Sequence, residues 1–226
     1  MALADFETLV DAMVRDTAEI VPADRDRAIQ LAVERYSKDR PRSAVEDIPS
    51  AGGLRLALPA AWEDDFSDLR ALEHPIGNDP PDLLKDWSLY QTPTGFEIRL
   101  DSYDVAALQP GDEVRVTFTI KHVVSAVADT VPPGDREAVS AWAAAGLCDQ
   151  LASAFSGDGD SVIQSDSVEH GSKAQEFSRR AATLRKRYWN ELGIEPKRSE
   201  PAGVVVDLNS RPSTGGRRLL KNPVDR

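Results

Sequence analysis

The hydrophobic period of this chain changes twice, and that change restricts the fold more than any single residue does. Leu3, Phe6, Leu9, Val10, Met13 and Val14 recur every three or four positions, as do Ile29, Ala32, Val33 and Tyr36. That spacing gathers apolar side chains on one face of a helix. Phe96, Ile98 and Leu100 then alternate with Glu97, Arg99 and Asp101. Val114, Val116, Phe118 and Ile120 likewise alternate with Arg115, Thr117, Thr119 and Lys121. Period two belongs to strands with one buried face. Helical spacing returns with Val139, Trp142, Ala143, Gly146, Leu147, Leu151, Ala154 and Phe155, and again with Phe177, Ala181, Leu184, Tyr188 and Leu192. Neither an all-helical bundle nor an all-β sandwich fits this order. The expectation is a mainly α chain of α+β class: a helical core with two long C-terminal helices, a small antiparallel β subdomain inserted in it, and an extended C-terminal arm.

Breakers set the boundaries. Asp5 and Glu7 lie in the first turn of the first helix, where the helix dipole favours acids. Ile20-Val21-Pro22 ends that helix, Asp24 is placed to cap the second, and Ser37-Lys38-Asp39-Arg40-Pro41 stops it. Leu54, Leu56 and Leu58 read as a half-buried strand, and a short helix is expected after Trp62, with Phe66, Leu69 and Leu72 on one side. Trp87 to Tyr90 reads as a further strand, and Pro110-Gly111-Asp112 as a turn. All the strands are expected in one sheet with one wet face. Pro132-Pro133-Gly134-Asp135 opens the alanine-rich helix, Gly157-Asp158-Gly159-Asp160 closes it, and the last helix runs from Lys173 to Leu192. The expected division is a helical core over 1–50 and 125–193, a β-rich insertion over 51–124, and an arm over 194–226.

Charge enters through its distribution. The chain of 226 residues has 27 Lys+Arg against 38 Asp+Glu, a net charge of −11, which argues against a protein built to grip duplex DNA. Residues 172–226, however, hold 13 Lys/Arg and 6 Asp/Glu, whereas residues 1–171 hold 14 and 32. A solvated basic face with a solvated tail accounts for the split. So does self-association, in which the basic end of one copy meets the acidic body of another. The partner-contact candidates are Arg179, Arg180, Arg185 and Arg187 on the last helix, with Val204, Val205, Val206, Arg217, Arg218 and Lys221 in the arm. An arm with Val204-Val205-Val206 and Leu219-Leu220 has apolar surface to bury, and an extended segment can add a strand to a neighbour's sheet.

No catalytic constellation emerges. Neither a Gly-x-x-x-x-Gly-Lys-Ser/Thr loop nor a Gly-x-Gly-x-x-Gly sequence is present. His74, His122 and His170 lie far apart in different local structure and read as surface or capping residues. Asp158, Asp160 and Asp166 share a glycine-bearing loop but lack the order and spacing of a calcium loop, and read as turn residues. The one cysteine, Cys148, excludes a disulfide framework and has no basic sequence neighbour to activate it, so it reads as a small buried hydrophobe. Trp142 and Trp189 read as core or interface packing. No apolar run approaches the ~20 residues of a membrane span, and no secretory leader is visible at the N-terminus. The expectation is a non-enzyme without cofactor or metal and without a membrane partner.

The C-terminal half carries a family likeness. It reads Thr130-Val131-Pro132-Pro133, then Ala143-Ala144-Ala145-Gly146-Leu147-Cys148-Asp149-Gln150-Leu151-Ala152. Asp166-Ser167-Val168 and Gly171-Ser172-Lys173 follow, then Phe177, Ala181, Leu184 and Tyr188 ahead of Leu192-Gly193. With Tyr36-Ser37-Lys38-Asp39-Arg40-Pro41 near the N-terminus, this resembles the head–tail connector (adaptor, or neck) proteins of tailed bacteriophages. The resemblance covers roughly residues 1–42 and 130–193. It implies two long helices across a polar loop with short N-terminal helices packed on them. It further implies a homo-oligomeric ring, commonly of twelve copies, between the portal protein and the next neck or tail component. Double-stranded DNA would pass through its channel as a non-specific contact. The protein would be made in the host cytoplasm and located in the virion. The alternatives are another head-completion or tail-terminator protein and a nucleic-acid-binding accessory protein. Residues 54–121 and 194–226 depart from the short all-helical members.

Overall fold

In the computed structural model, which describes residues 2–14, 20–93, 95–100, 108–156 and 173–194, the chain is α+β. Its helical part comprises α1 (Ala2–Val14), α2 (Pro22–Asp39), α3 (Arg136–Phe155) and α4 (Lys173–Leu192). Helix α3 is apolar nearly all round, and it is accordingly the central helix, with α1, α2 and α4 all packed on it. Ala138, Ala141, Ala144, Ala145 and Ala152 are buried there, and their small side chains let the neighbouring backbones come close. Helix α4 turns Phe177, Ala181, Leu184, Tyr188 and Leu192 inward, all five buried, as their spacing requires. Phe6, Val10 and Val14 do the same for α1, and Ile29, Ala32, Val33 and Tyr36 for α2.

Asp24 does not cap α2. Val21 is the N-cap residue with no side-chain bond, and Pro22 opens the helix. A proline there needs no amide partner, so the cap is dispensable and Asp24 stands in the first turn, facing the dipole. Asp135, ahead of α3, also makes no cap bond, because its carboxylate is used elsewhere. Tyr36 donates its hydroxyl to Asp135 Oδ2 at 2.5 Å, and Arg40 Nη1 donates to the same oxygen at 2.9 Å. Across the bundle, Tyr188 donates to Asp39 Oδ2 at 2.7 Å, and Arg35 Nε donates there at 2.9 Å.

Burial first, and then the adjoining carboxylate, holds both phenols far above the ordinary 10.0. In the unfolded chain they ionise near that value, whereas in the folded chain they stay protonated. Their contribution is therefore complete below pH 10 and is lost as pH rises towards the folded values. The unfolding free energy from urea titrations should fall above about pH 10, by about 1.4 kcal/mol per pH unit for each phenol. Tyrosinate absorbance from Tyr36 and Tyr188 should appear only together with loss of helical circular dichroism. Ionisation of all the tyrosines in a still-folded chain would contradict this.

The β part has seven strands among the described residues: β1 (Arg42–Pro49), β2 (Arg55–Leu56), β3 (Leu69–Glu73), β4 (Leu83–Leu84), β5 (Trp87–Thr92), β6 (Gly95–Leu100) and β7 (Glu113–Ile120). They form two antiparallel sheets rather than the expected one, in the orders β1-β7-β3-β4 and β2-β6-β5. Ile48, Leu72, Val116 and Phe118 from the first sheet share one apolar cluster with Leu56, Ile98 and Leu100 from the second. Val114, Val116, Phe118 and Ile120 are all buried, as their alternation demands. Of the Leu54–Leu58 segment, only Arg55–Leu56 pairs, with Arg99 and Ile98 of β6. Leu54 and Leu58 pack against the cluster from outside the ladder.

The helix expected after Trp62 is absent, and strand β3 stands at its end. Leu69 pairs with Phe118 and Leu72 with Val116, two positions apart on β7, because a bulge between Leu69 and Ala71 inserts one residue. The extra residue converts a two-residue spacing into three and imitates helical periodicity. Strand β1, which pairs with β7 along its whole length from Arg42 to Pro49, lies within the stretch expected to belong to the helical core. The Pro110-Gly111-Asp112 turn is present: Gly111 takes φ +92°, and its amide donates to Ser50 O at 2.9 Å.

His122 fastens the helices to the sheets, and is buried rather than at the surface. Its amide donates to Ser37 Oγ at 2.9 Å, and Ser37 in turn donates to Val33 O within α2. Its ring lies between two carbonyls, Nδ1 at 2.9 Å from Thr130 O and Nε2 at 3.0 Å from Arg40 O, and packs on Tyr36 with centroids 4.9 Å apart. Helices and sheets thus belong to one compact unit, residues 1–193, while residues 194–226 form a second.

Candidate assembly surfaces

The arginines of α4 point in different directions because successive helical positions turn by a quarter circle or more. Arg180 is partly buried, and its Nη1 donates to Val14 O at 3.1 Å, satisfying a carbonyl at the last turn of α1. Arg185 forms an ion pair with Asp149 of α3. Arg187 pairs with Glu137 at the start of α3 and, at 2.5 Å, with Glu191 one turn further along α4. These three are clamps within the chain as well as positive charges. Each ion pair is partly exposed, so solvent and salt screen it. Arg179 is exposed and lines a groove of about 590 Å³ between the C-terminal end of α3 and the N-terminal end of α4, with Asp149, Ser153 and Ser178 among its walls.

Val204, Val205, Val206, Arg217, Arg218 and Lys221 lie outside the described residues, as do Asp158, Asp160, Asp166 and His170. Cys148 is buried. Desolvation pushes its thiol up, against a weaker downward pull from Arg180, so it stays protonated and packs as a small apolar group. His74 lies beside Glu113 O at 3.0 Å, far along the chain from His122. Among the described residues, no three His, Cys, Asp or Glu side chains are grouped to hold a metal ion, and no helix is long and apolar enough to cross a membrane.

Two surface features were not singled out from the sequence. The first is an aromatic cluster where α2, α3 and α4 meet. Trp142 lies 4.8 Å from Tyr188 and 5.6 Å from Trp189 by ring centroids, and the Arg35 guanidinium sits over Trp142 at 5.4 Å and Trp189 at 5.0 Å. Both tryptophans are only partly buried. Trp, Tyr and Arg in such a patch are the residue types that dominate protein–protein binding energy. Trp142 and Trp189 read from the sequence as core or interface packing, but Arg35 could be found only by placing α2 against them. The second is the β5 side of the smaller sheet. Leu89, Tyr90 and Phe96 are 38, 42 and 44% exposed. Arg55 and Arg99 stand over the Tyr90 ring at 5.5 and 6.0 Å. Exposed acids, Asp64, Asp65, Asp79, Asp82 and Asp86, occupy the turns around β3, β4 and β5.

No protein-family model matches the chain, and no curated protein matches it. Among solved structures, a chain from the neck of an empty GTA particle, computed with C6 symmetry, is similar at 14% identity and a TM-score of 0.27, over 83% of this chain and 88% of that one.

Proposed function

We propose that the protein is a structural, non-catalytic head–tail adaptor of a tailed-phage-like particle, which assembles head to tail into a ring. The observation that carries this reading is the helical arrangement. α3 and α4 form a long pair with α1 and α2 packed on α3, the arrangement that the Tyr36–Pro41 and Thr130–Gly193 motifs imply. A ring of identical copies needs two unlike faces on each copy, so that one meets the other on the next. The acids around β3 to β5 and the basic residues of α4 and the arm supply a pair of opposite sign. DNA would slide through such a ring rather than be gripped, since the body is strongly acidic. The portal protein and the next neck or tail component are the partners this role requires, and the site of action is the virion.

The test is mass in solution with and without a purified portal protein. Co-migration in a complex larger than either component supports the adaptor. Filter binding to duplex DNA with a steep salt slope, and no complex with portal, would replace it by a nucleic-acid-binding role. A chain ending at Gly193 should keep its cooperative melt, because the arm lies outside the unit that contains the described core, yet should lose partner docking. Loss of cooperative melting in that truncation would show the arm to be part of the core.

A further inference from the structure

We propose that residues 203–208 of one copy pair, antiparallel, with the β5 edge of a neighbouring copy and extend its three-stranded sheet by a fourth strand. This rests on the self-association reading above and names the contact that would carry it. Among the described strands, β5 is bonded on one side only, to β6. Exposed edges are ordinarily protected by charges, lysines or prolines. The six residues of β5, Trp87-Ser88-Leu89-Tyr90-Gln91-Thr92, include no charge and no proline in a chain that is 29% charged. Its side chains are apolar on both faces at the centre, with Leu89 towards the cluster side and Tyr90 on the other, and both are exposed. A strand that fits beside it should also be apolar on both faces.

The arm contains one such run, Gly203-Val204-Val205-Val206-Asp207-Leu208, and valine has strong strand preference. One register satisfies every row of the sheet. With Val205 opposite Tyr90, Val206 extends the row of Leu89, Ile98 and Leu56, and Leu208 extends the row of Trp87 and Leu100. Val204 then joins the row of Gln91 and Phe96, opposite Gln91 and on the same face as the exposed Phe96 ring. On the opposite face, Asp207 falls opposite Ser88, at the end of the row holding Arg99 and Arg55. A slip of one residue would reverse both faces and set Val204 and Val206 on the arginine side. Parallel pairing would carry Asp207 to Thr92, away from the arginine row.

Mixing two full-length variants tests the pairing, one carrying Leu89→Cys and the other Val206→Cys, under mild oxidation. Directly opposed positions fall within disulfide reach, whereas positions on opposite faces do not. The mixture should give a crosslinked dimer about tenfold more abundant than Leu89→Cys mixed with Val205→Cys. Sedimentation of the unaltered chain is run alongside. Self-association with no crosslink, or with equal crosslinking from both mixtures, overturns the strand pairing and leaves assembly standing. A monomer at every concentration, without crosslink, overturns assembly and the pairing with it. Crosslinking confined to single chains of the Leu89→Cys/Val206→Cys double variant, with none between the separate variants, overturns the exchange between copies.

Discussion

Replacing Tyr188 by alanine is expected to lower the stability of the protein by about 3–5 kcal/mol, in the range seen for deletion of a large buried aromatic side chain. Tyr188 is fully buried in α4, stacked at an angle on Trp142 and Trp189, and its hydroxyl donates to Asp39 Oδ2 at 2.7 Å. The truncation removes the ring contacts, opens a cavity between α3 and α4, and takes one donor from Asp39. Tyr188→Phe separates these effects. It keeps the ring and deletes the hydrogen bond to a carboxylate, and should cost about 1.5–3 kcal/mol. Urea unfolding followed by circular dichroism measures both variants. Equal losses in the two would place the whole effect in the hydroxyl, and a loss below about 1 kcal/mol in Tyr188→Ala would deny that the helix pair is packed as described.

Phe118→Ala should be as damaging, from the other half of the same unit. Phe118 is fully buried in β7, between β1 and β3, opposite Ala44 and Leu69, with the Trp62 ring 5.9 Å away. Its loss should again cost about 3–5 kcal/mol. For a unit of this size that corresponds to a fall of roughly 6–20 °C in melting temperature. Residues 1–193 form one compact unit, and His122 joins α2 to the segment that follows β7. The melt should therefore remain a single transition in both variants, with sheet and helix signals lost together. A Phe118→Ala protein whose β signal melts separately, while the helical signal stays at the wild-type temperature, would show two independent folding units.

The helices were legible because their spacing repeats over many residues. α4 begins and ends where Lys173 and Leu192 suggested, and its five inward residues were identified from period alone. The alanine-rich composition of α3 foretold close packing, though not that three helices would surround it. Short strands carry less signal. β1 has only Ala44, Val45 and Ile48 as apolar residues outside its terminal proline, and it is recognised by its partner β7 rather than by itself. Leu69 and Leu72 imitated a helix because the bulge at Arg70 shifts the pleat. The candidate surfaces were visible as residue types but not as arrangements. The sequence shows that α4 is basic, but Arg180, Arg185 and Arg187 acquire their partners Val14, Asp149 and Glu137 only when α1 and α3 are in place. The Arg35 cluster and the uncharged edge of β5 are likewise products of tertiary pairing.

If unlike, oppositely charged faces drive head-to-tail assembly, sedimentation velocity of the full chain across a salt series will show the assembly come apart. The Debye length shortens from about 10 Å at 0.1 M salt to about 3 Å at 1 M, which weakens attraction between exposed charges. The predicted result is a large species at low salt that gives way to monomer as salt rises. The same distribution of species from low to high salt would contradict it.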